Sequence, residues 1–299
     1  MSAAEAPGER SIPGLSAPMK ARLRRLFRVL TLLSPALAAR LALRVFITPA
    51  ARPISSEEAA FLATARMRTL ATAHGRIQTY EWTASGPTVL VVHGWISHTG
   101  RLRHAIAALQ AQGFRVLAFD APGHGRSGGR YADLHAFGDI ISLMNVEFGP
   151  ISALLAHSFG ALAVAVWLAD RSLPDLRAAV LVGMPHDVGY ILESFTLAMA
   201  LSPAVVERVR ARFHARYGAW PEVYESGALA AQIRMPVLLV HGAADEFVPL
   251  EHSRATYPRL VHGELSIRPD LKHSAPLSDA ASLAIIAGFL RRHVAGSAQ

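Results

Sequence analysis

One serine stands where an apolar run gives way to an alanine-rich segment, and that position suits a nucleophile. Ser158 lies in Ala-His-Ser-Phe-Gly at 156–160, directly before the alanine-rich segment 161–168. A sharp strand-to-helix turn exposes the serine oxygen at its tip and requires small flanking residues. Ala156 departs from the G-x-S-x-G pattern by one methyl group. On this pentapeptide alone, a serine that only caps a helix stays an alternative.

Two later segments supply the groups that such a serine needs, because a hydroxyl without a base is a weak nucleophile. Asp245 lies in a turn just beyond an apolar run, and His273 lies between the last predicted strand and the last predicted helix. Either residue alone would also suit a surface turn. Together they predict a site in which Ser158 attacks a carbonyl, His273 accepts its proton and Asp245 orients the imidazole.

A third apolar run ends at His-Gly-Trp, residues 93–95. A tight turn after a strand can direct a backbone N–H into a site at the edge of the sheet. We therefore predict an oxyanion hole, formed by the N–H groups of Trp95 and Phe159, for negative charge that develops on the substrate. His93 is expected to hydrogen-bond the loop rather than act as a second base.

The segment 123–128 contains a literal G-x-G-x-x-G, which could suggest a dinucleotide site. Such a fingerprint should open the first strand–helix–strand unit and lead straight into a helix, and this segment does neither. We interpret it as a structural turn and expect no cofactor. The sequence has no cysteine, which excludes disulfides, thiolate zinc sites and a cysteine nucleophile, and no metal site is predicted.

Short apolar strands alternate with helices after Gly75, and this alternation is typical of a parallel sheet. Several strands are continuously apolar, as expected where both faces of a sheet are covered. The predicted fold class is α/β, a mostly parallel twisted sheet of about eight strands with helices on both faces. Seven strands are predicted, at 76–82, 87–93, 114–120, 151–157, 178–183, 236–241 and 265–268.

The alternation stops between 184 and 233, where helical spacing replaces it. A small helical cap, inserted into the domain at about 184–233, would explain the interruption. Three large residues in this stretch, Phe195, Met199 and Trp220, could line an apolar acyl pocket. Such residues at helical spacing more often belong to the core.

The chain before residue 75 divides into a mobile tail over 1–18 and a helical extension over 19–74, and the main domain is expected over 75–299. In the extension, one helical face carries Leu23, Leu26, Phe27 and Leu30, and the other carries arginines. Ser34 followed by Pro35 predicts the start of a second helix. Ser55 with Glu58 predicts a capping box that opens a third helix.

The charge of the chain is concentrated in this extension. The chain has 30 basic and 22 acidic residues, and every charged residue in the segment 20–52 is basic. Residues 20–46 could therefore contact an anionic membrane, or the helix could pack on the domain with its arginines exposed.

The uncharged run 29–39 is too short to span a bilayer. Together with the basic residues before it, this run has the outline of a signal peptide, but the basic part begins late. We therefore expect the segment to be retained and the protein to be cytoplasmic. If the helix binds lipid, we expect peripheral contact at the inner membrane face.

Together, these blocks resemble the α/β-hydrolase superfamily, in its serine hydrolase branch. The resemblance covers about 75–294 and rests on five ordered blocks, which are His-Gly-Trp, Asp-Ala-Pro-Gly-His-Gly-Arg-Ser, the serine turn, Gly-Ala-Ala-Asp-Glu-Phe-Val-Pro and the late histidine. It implies a nucleophile at Ser158, an acid at Asp245, a base at His273 and a cap over the site. It also implies that Asp120 and Gly125 are structural. The extension is similar to those of some bacterial members.

The activity expected from this resemblance is hydrolysis of a small-molecule carboxylic ester through an acyl-enzyme. A serine nucleophile argues against dehalogenases and epoxide hydrolases, which use an aspartate. Thioester, peptide or carbon–carbon bond cleavage by the same three groups, and a silent binding module, stay open. Nucleic-acid binding is not expected, because the basic residues are not interleaved with aromatics. The acyl-chain length and the oligomeric state stay open.

Overall fold

The computed structural model describes residues 16–294 and contains an eight-stranded sheet. The predicted fold class is confirmed. The strands are β1 Arg66–Thr72, β2 Gly75–Trp82, β3 Thr88–Val92, β4 Arg115–Phe119, β5 Ala153–His157, β6 Ala178–Val182, β7 Val237–Gly242 and β8 Gly263–Arg268. The helices are α1 Ala17–Leu33, α2 Pro35–Phe46, α3 Ser56–Leu62, α4 Arg103–Ala111, α5 Leu134–Phe148, α6 Phe159–Asp170, α7 Val188–Ala198, α8 Pro203–Tyr217, α9 Ser226–Ala230, α10 Leu250–Thr256 and α11 Ala280–Val294.

The sheet has the strand order β1-β2-β4-β3-β5-β6-β7-β8. β2 is antiparallel to β1 and β4, while the strands from β4 to β8 in this order are mutually parallel. The central strands β3, β5, β6 and β7 are buried along their whole length, which explains their continuously apolar sequences. The carboxyl ends of the parallel strands meet at one edge, where sites form in open α/β sheets.

Helices cover both faces of the sheet and create two apolar cores. One core contains buried residues of α5 and α6 together with α1, α2 and the helices that follow β6. The other contains buried residues of α4 and α11 together with Leu62 of α3. The extension therefore contributes to the same core as the helices behind the central strands.

The start of α2 follows the predicted capping chemistry. The Ser34 hydroxyl accepts a hydrogen bond from the Leu37 N–H at 3.3 Å, and Pro35 occupies the first helical position.

In α1, only part of the predicted apolar face is buried. Phe27 is 1% exposed, whereas Leu26 is 43% exposed, so the apolar face of α1 packs on the domain through only some of its residues. The two residues are consecutive, so their side chains point about 100° apart around the helix axis.

The start of α3 contains the predicted capping box. The Ser55 hydroxyl accepts from the Glu58 N–H at 3.2 Å, and the Glu58 carboxylate accepts from the Ser55 N–H at 2.8 Å.

The prediction of a purely helical extension over 19–74 was wrong at its end. β1 lies inside this segment and pairs with β2 along its whole length. Most of β1 is exposed, and its sequence Arg-Met-Arg-Thr-Leu-Ala-Thr carries arginines where an inner strand would carry apolar residues. Charged residues are common on edge strands, where they disfavour pairing with another chain. The predicted tail over 1–18 lies outside the described residues up to residue 15, and residues 17 and 18 belong to α1.

The segment between β6 and β7 is helical and consists of α7, α8, a 3-10 turn and α9. It packs on the extension, since α2 lies along α8 and the Arg24 Nε donates a hydrogen bond to the Ala198 carbonyl at 2.7 Å. Within residues 16–294, no helix is long and apolar enough to cross a membrane.

Candidate active site

Ser158 occupies a strained turn between β5 and α6. Its backbone angles are φ 54° and ψ −124°, a combination rarely adopted by residues other than glycine. The Ser158 N–H donates to the Val182 carbonyl at 2.8 Å, which ties the turn to the neighbouring strand. The turn also requires Gly160, because a Cβ there would lie 2.2 Å from the His93 carbonyl oxygen. The Ser158 side chain does not cap α6, so its hydroxyl is available to another group.

The structure brings the three predicted side chains into one hydrogen-bonded chain. The His273 Nδ1 lies 2.6 Å from the Asp245 Oδ2, and its Nε2 lies 2.9 Å from the Ser158 Oγ. An ionised carboxylate can only accept, so Nδ1 carries the proton and Nε2 accepts from the serine hydroxyl. This arrangement can move a proton from the hydroxyl to the imidazole while the carboxylate stabilises the resulting cation.

The Asp245 carboxylate is held in its ionised form although it is almost fully buried. Burial by itself would raise the pKa of Asp245, but the hydrogen bond and the charge of His273 and the N–H groups of Val248 and Phe247 hold that pKa below its ordinary value. Both N–H groups donate to Oδ1 at 2.8 Å, which leaves Oδ2 for the imidazole. The loop after β7 therefore fixes both the orientation and the charge of the carboxylate.

Two residues that support His273 were not singled out by the sequence. His157 packs against the His273 ring with centroids 4.7 Å apart, and its Nε2 lies 3.2 Å from the His273 carbonyl oxygen. Burial, together with the nearby His273, lowers the pKa of His157 to about 3, so this imidazole is neutral and can donate that hydrogen bond. On the other side, a Cβ at Gly183 would lie 3.2 Å from His273 ring atoms. No local sequence signal identifies such contacts, because they join separate strand ends.

The loop after β3 lies beside the serine turn. Trp95 packs on Phe159 with ring centroids 5.1 Å apart. Phe159 is the first residue of α6, where backbone N–H groups have no acceptor within the helix. Next to Trp95, Ile96 has φ 49°, an unusual angle for a β-branched residue that marks a tightly constrained turn. The oxyanion-hole assignment of the Trp95 and Phe159 N–H groups stays a prediction.

His93 ties this loop to the next one. Its Nδ1 lies 2.7 Å from the Gly94 carbonyl, and its Nε2 accepts from the Ala121 N–H at 2.9 Å. Burial lowers the pKa of His93 to about 4. A neutral imidazole with both nitrogens occupied suits the loop-stabilising role expected for this residue.

The glycine-rich segment forms a turn around the buried carboxylate of Asp120. That carboxylate accepts from the backbone N–H groups of Thr99 and Arg126 at 2.8 Å and from the Tyr80 hydroxyl at 2.9 Å. Gly125 has φ 49°, and a Cβ there would lie 2.1 Å from the Asp120 Oδ2. Asp120 thus joins β2, the loop after β3 and the glycine-rich turn.

Replacing Asp120 by alanine is expected to destabilise the fold by about 3 kcal/mol, because three donors, two of them buried, lose their acceptor. Chemical denaturation measures the change in the free energy of unfolding. Asp175→Ala, at an exposed position, is the control and is expected to change that free energy by no more than about 0.5 kcal/mol. Equal stability of the two variants would contradict the structural role of Asp120.

A cavity of about 410 Å³ opens beside Ser158 and His273. The extension contributes Val45, Phe46, Ile47, Thr48 and Ala50 to its wall. The segment between β6 and β7 contributes Val188, Ile191, Phe195, Phe213, Tyr217 and Tyr224. Phe46 and Phe195 join these two walls, with ring centroids 5.4 Å apart. The wall formed by the extension was not foreseen in the sequence.

Of the three residues considered for an acyl pocket, Phe195 lines this cavity. Met199 is fully buried in the core, and Trp220 is 44% exposed and packs against His214 with ring centroids 4.6 Å apart. Helical spacing marks which residues share a face, but it does not tell whether that face meets the cavity or the core.

Comparison with known sequences places these features among hydrolases. A family described as "Serine aminopeptidase, S33" matches residues 84–219, a range that includes Ser158 and ends before Asp245. A monoacylglycerol lipase of Mycolicibacterium smegmatis is 26% identical over 225 residues, which cover 62% of this chain and 80% of that protein. An epoxide hydrolase of Caballeronia sordidicola is 33% identical over 101 residues, and the match covers only 30% of that protein.

Solved structures share the fold over most of the chain. An esterase from Pyrococcus furiosus superposes with a TM-score of 0.64 at 18% identity, covering 83% of this chain and 100% of the esterase. A membrane phospholipase A superposes with a TM-score of 0.61 at 16% identity and covers 93% of this chain and 97% of that chain. The sheet order, the strained serine turn and these similarities agree, and the chain has the α/β-hydrolase fold.

Proposed function

We propose that this hydrolase cleaves carboxylic esters through an acyl-enzyme on Ser158. The observation that carries the proposal is the hydrogen-bonded chain from Asp245 through His273 to the Ser158 hydroxyl, at 2.6 and 2.9 Å. These distances lie within the range in which proton transfer is effective. The hydroxyl has no competing capping role.

In the first half of the reaction, the Ser158 Oγ attacks the ester carbonyl while its proton passes to the His273 Nε2. The carbonyl oxygen becomes negatively charged, and the N–H groups of Trp95 and Phe159 stabilise it. The tetrahedral intermediate then collapses. The carbon–oxygen bond to the leaving group breaks, and the imidazolium returns its proton to the departing alkoxide, which leaves as an alcohol.

In the second half, water replaces the alcohol. His273 accepts a proton from the water as it attacks the acyl carbon, and the same proton returns to the Ser158 Oγ when the acid leaves. Asp245 stays ionised throughout and holds the imidazole in one orientation. No group beyond water and the three side chains is needed to balance these steps.

The cavity supports an apolar acyl chain as the part of the substrate that the enzyme binds. Its walls are mostly aliphatic and aromatic side chains from the extension and from the segment after β6. Similarity to a monoacylglycerol lipase and to an esterase supports the same substrate class. Similarity to epoxide hydrolases supports the fold but not their reaction, because a serine stands at the nucleophile position.

Aminopeptidase activity is a second candidate. The matched family is described as a serine aminopeptidase, and the carboxylates of Asp133 and Glu246 line the cavity, where they could bind an α-ammonium group. Against it, one Asp133 oxygen already caps α5 by accepting from the Ala136 N–H at 2.9 Å. The ester proposal therefore has the stronger support.

A substrate panel tests the choice between these activities. Purified enzyme is assayed with p-nitrophenyl esters of increasing chain length, matching thioesters and aminoacyl p-nitroanilides at equal concentration, and a fluorophosphonate probe labels the nucleophile. We expect esters to give the highest kcat/KM and the wild-type protein to be labelled. Hydrolysis of anilides in preference to esters would favour the aminopeptidase, and absence of labelling in folded protein would exclude the serine mechanism. The thioesters of this panel, and a diketone assayed beside them, address the remaining alternatives.

A further inference from the structure

The corner between α1 and α2 exposes large aliphatic side chains that have nothing to pack against in the described part of the chain. Leu32 is 83% exposed and Leu33 is 76% exposed, and Val29 and Leu37 are each more than half exposed. These four residues form the aliphatic corner. The opposite face of α1 is already used, because Phe27 lies in the core. The corner is therefore a second apolar surface and not a loosely packed part of the first.

Exposed arginines flank the aliphatic corner. They are Arg22, Arg25, Arg28, Arg40 and Arg44. Among residues 16–294, none of the five forms an ion pair. No acidic residue occurs between 20 and 52, so every charge that this segment carries is positive. Aliphatic side chains surrounded by unpaired cations complement an anionic lipid surface, where leucines enter the acyl boundary and arginines remain among the phosphates.

We infer that the aliphatic corner docks the protein on an anionic lipid surface. A second copy of the chain fits less well, because a twofold contact would bring the same five arginines against each other. A single-stranded nucleic acid also fits less well, because the exposed apolar residues of the corner are aliphatic and cannot stack on bases.

Docking at this corner would bring the substrate cavity close to lipid. α2 begins at the corner and ends at Phe46, which lines the cavity, so about 16 Å of helix separates the two. This step rests on the proposed function, whereas lipid docking does not. An ester dissolved in the bilayer would then reach the cavity without crossing bulk water.

Flotation with vesicles tests the docking. The Ser158→Ala variant of the full chain is used, so that no lipid is hydrolysed, with phosphatidylcholine vesicles that contain or lack phosphatidylglycerol. We expect the protein to float with the anionic vesicles only. In this background, Leu32→Ser with Leu33→Ser is expected to lower the partition coefficient about tenfold or more. Arg25→Gln with Arg28→Gln is expected to lower it about twenty-five-fold, since each basic residue near the surface contributes about fivefold.

Matched controls replace other exposed residues, elsewhere on the molecule. Val146→Ser with Val223→Ser controls for loss of apolar surface, and Arg66→Gln with Arg291→Gln controls for loss of charge. Both pairs are expected to float like the parent. The inference is overturned if the parent does not float, or if the corner variants float as well as their controls. It is also overturned if light scattering shows a dimer that only the leucine variants dissociate.

The kinetic readout separates lipid docking from the proposed function. With the catalytic serine restored, the corner variants are expected to hydrolyse a water-soluble ester at the wild-type rate and a vesicle-dissolved ester more slowly. Ester hydrolysis without flotation would overturn the docking alone. Flotation without ester hydrolysis would overturn the proposed function alone.

Discussion

Ser158→Ala is expected to lower kcat for ester hydrolysis by about a million-fold, the loss typical of removing the nucleophile from such a unit. The hydroxyl is the only group at the tip of the strained turn that can form a bond to the acyl carbon. Without it, the remaining rate comes from water attack in a site that still binds the substrate. Steady-state kinetics with a short-chain p-nitrophenyl ester measure the loss, and the fluorophosphonate probe should no longer label the protein.

The matched control is Ser172→Ala, which removes a hydroxyl from an exposed position away from the site. It is expected to retain wild-type kinetics and labelling. Thermal unfolding of both variants checks that the fold is intact. If Ser158→Ala kept a tenth of the wild-type rate, the nucleophile would have to be another group and the proposed mechanism would fail.

Asp245→Asn is expected to lower kcat by about ten thousand-fold with little change in KM. The asparagine carbonyl can still accept from the Phe247 and Val248 N–H groups, so the loop keeps its shape. Its amide then faces the His273 Nδ1 as a donor, which favours the imidazole tautomer with its proton on Nε2. That tautomer cannot accept the proton of Ser158. The loss therefore reports the orientation and the charge of the imidazole and not the integrity of the fold.

Stopped-flow or steady-state assays at neutral pH measure this effect. Asp270→Asn makes the same chemical change at an exposed position near His273 in sequence and is expected to leave kcat unchanged. A decrease of less than tenfold in Asp245→Asn would mean that another carboxylate orients His273. Glu246, whose carboxylate accepts a hydrogen bond from the backbone N–H of His273 at 3.4 Å, would then be the residue to test.

The centre of the sheet could be predicted because the strands β3, β5, β6 and β7 are buried on both faces, so each has a nearly continuous apolar sequence. The predicted bounds of these strands agree with the structure to within about two residues. β1, Arg66–Thr72, was missed because it is an exposed edge strand. Such a strand forms backbone hydrogen bonds to a neighbouring strand on one side only, and it needs no apolar pattern. Its position depends on pairing with β2, which is not encoded in its own composition.

The three side chains of the site could be predicted because each follows a strand, and parallel strands end at the same edge. The chain order of serine, aspartate and histidine added information that no single residue carries. The supporting contacts could not be predicted. His157 reaches the His273 carbonyl across three strand ends, and such a contact depends on strand order and twist rather than on local sequence.

The walls of the cavity come from different stretches of the chain than the reacting groups. Residues 45–48 and 50 and the segment after β6 line the cavity, whereas Ser158, Asp245 and His273 lie at the edge of the sheet. Selectivity and reactivity can therefore change independently in evolution or in engineering, by altering one set of residues while the other is retained. A chain shortened to residues 75–294 would keep all three side chains of the candidate site but lose one wall of the cavity, so we expect its substrate range to differ from that of the intact protein.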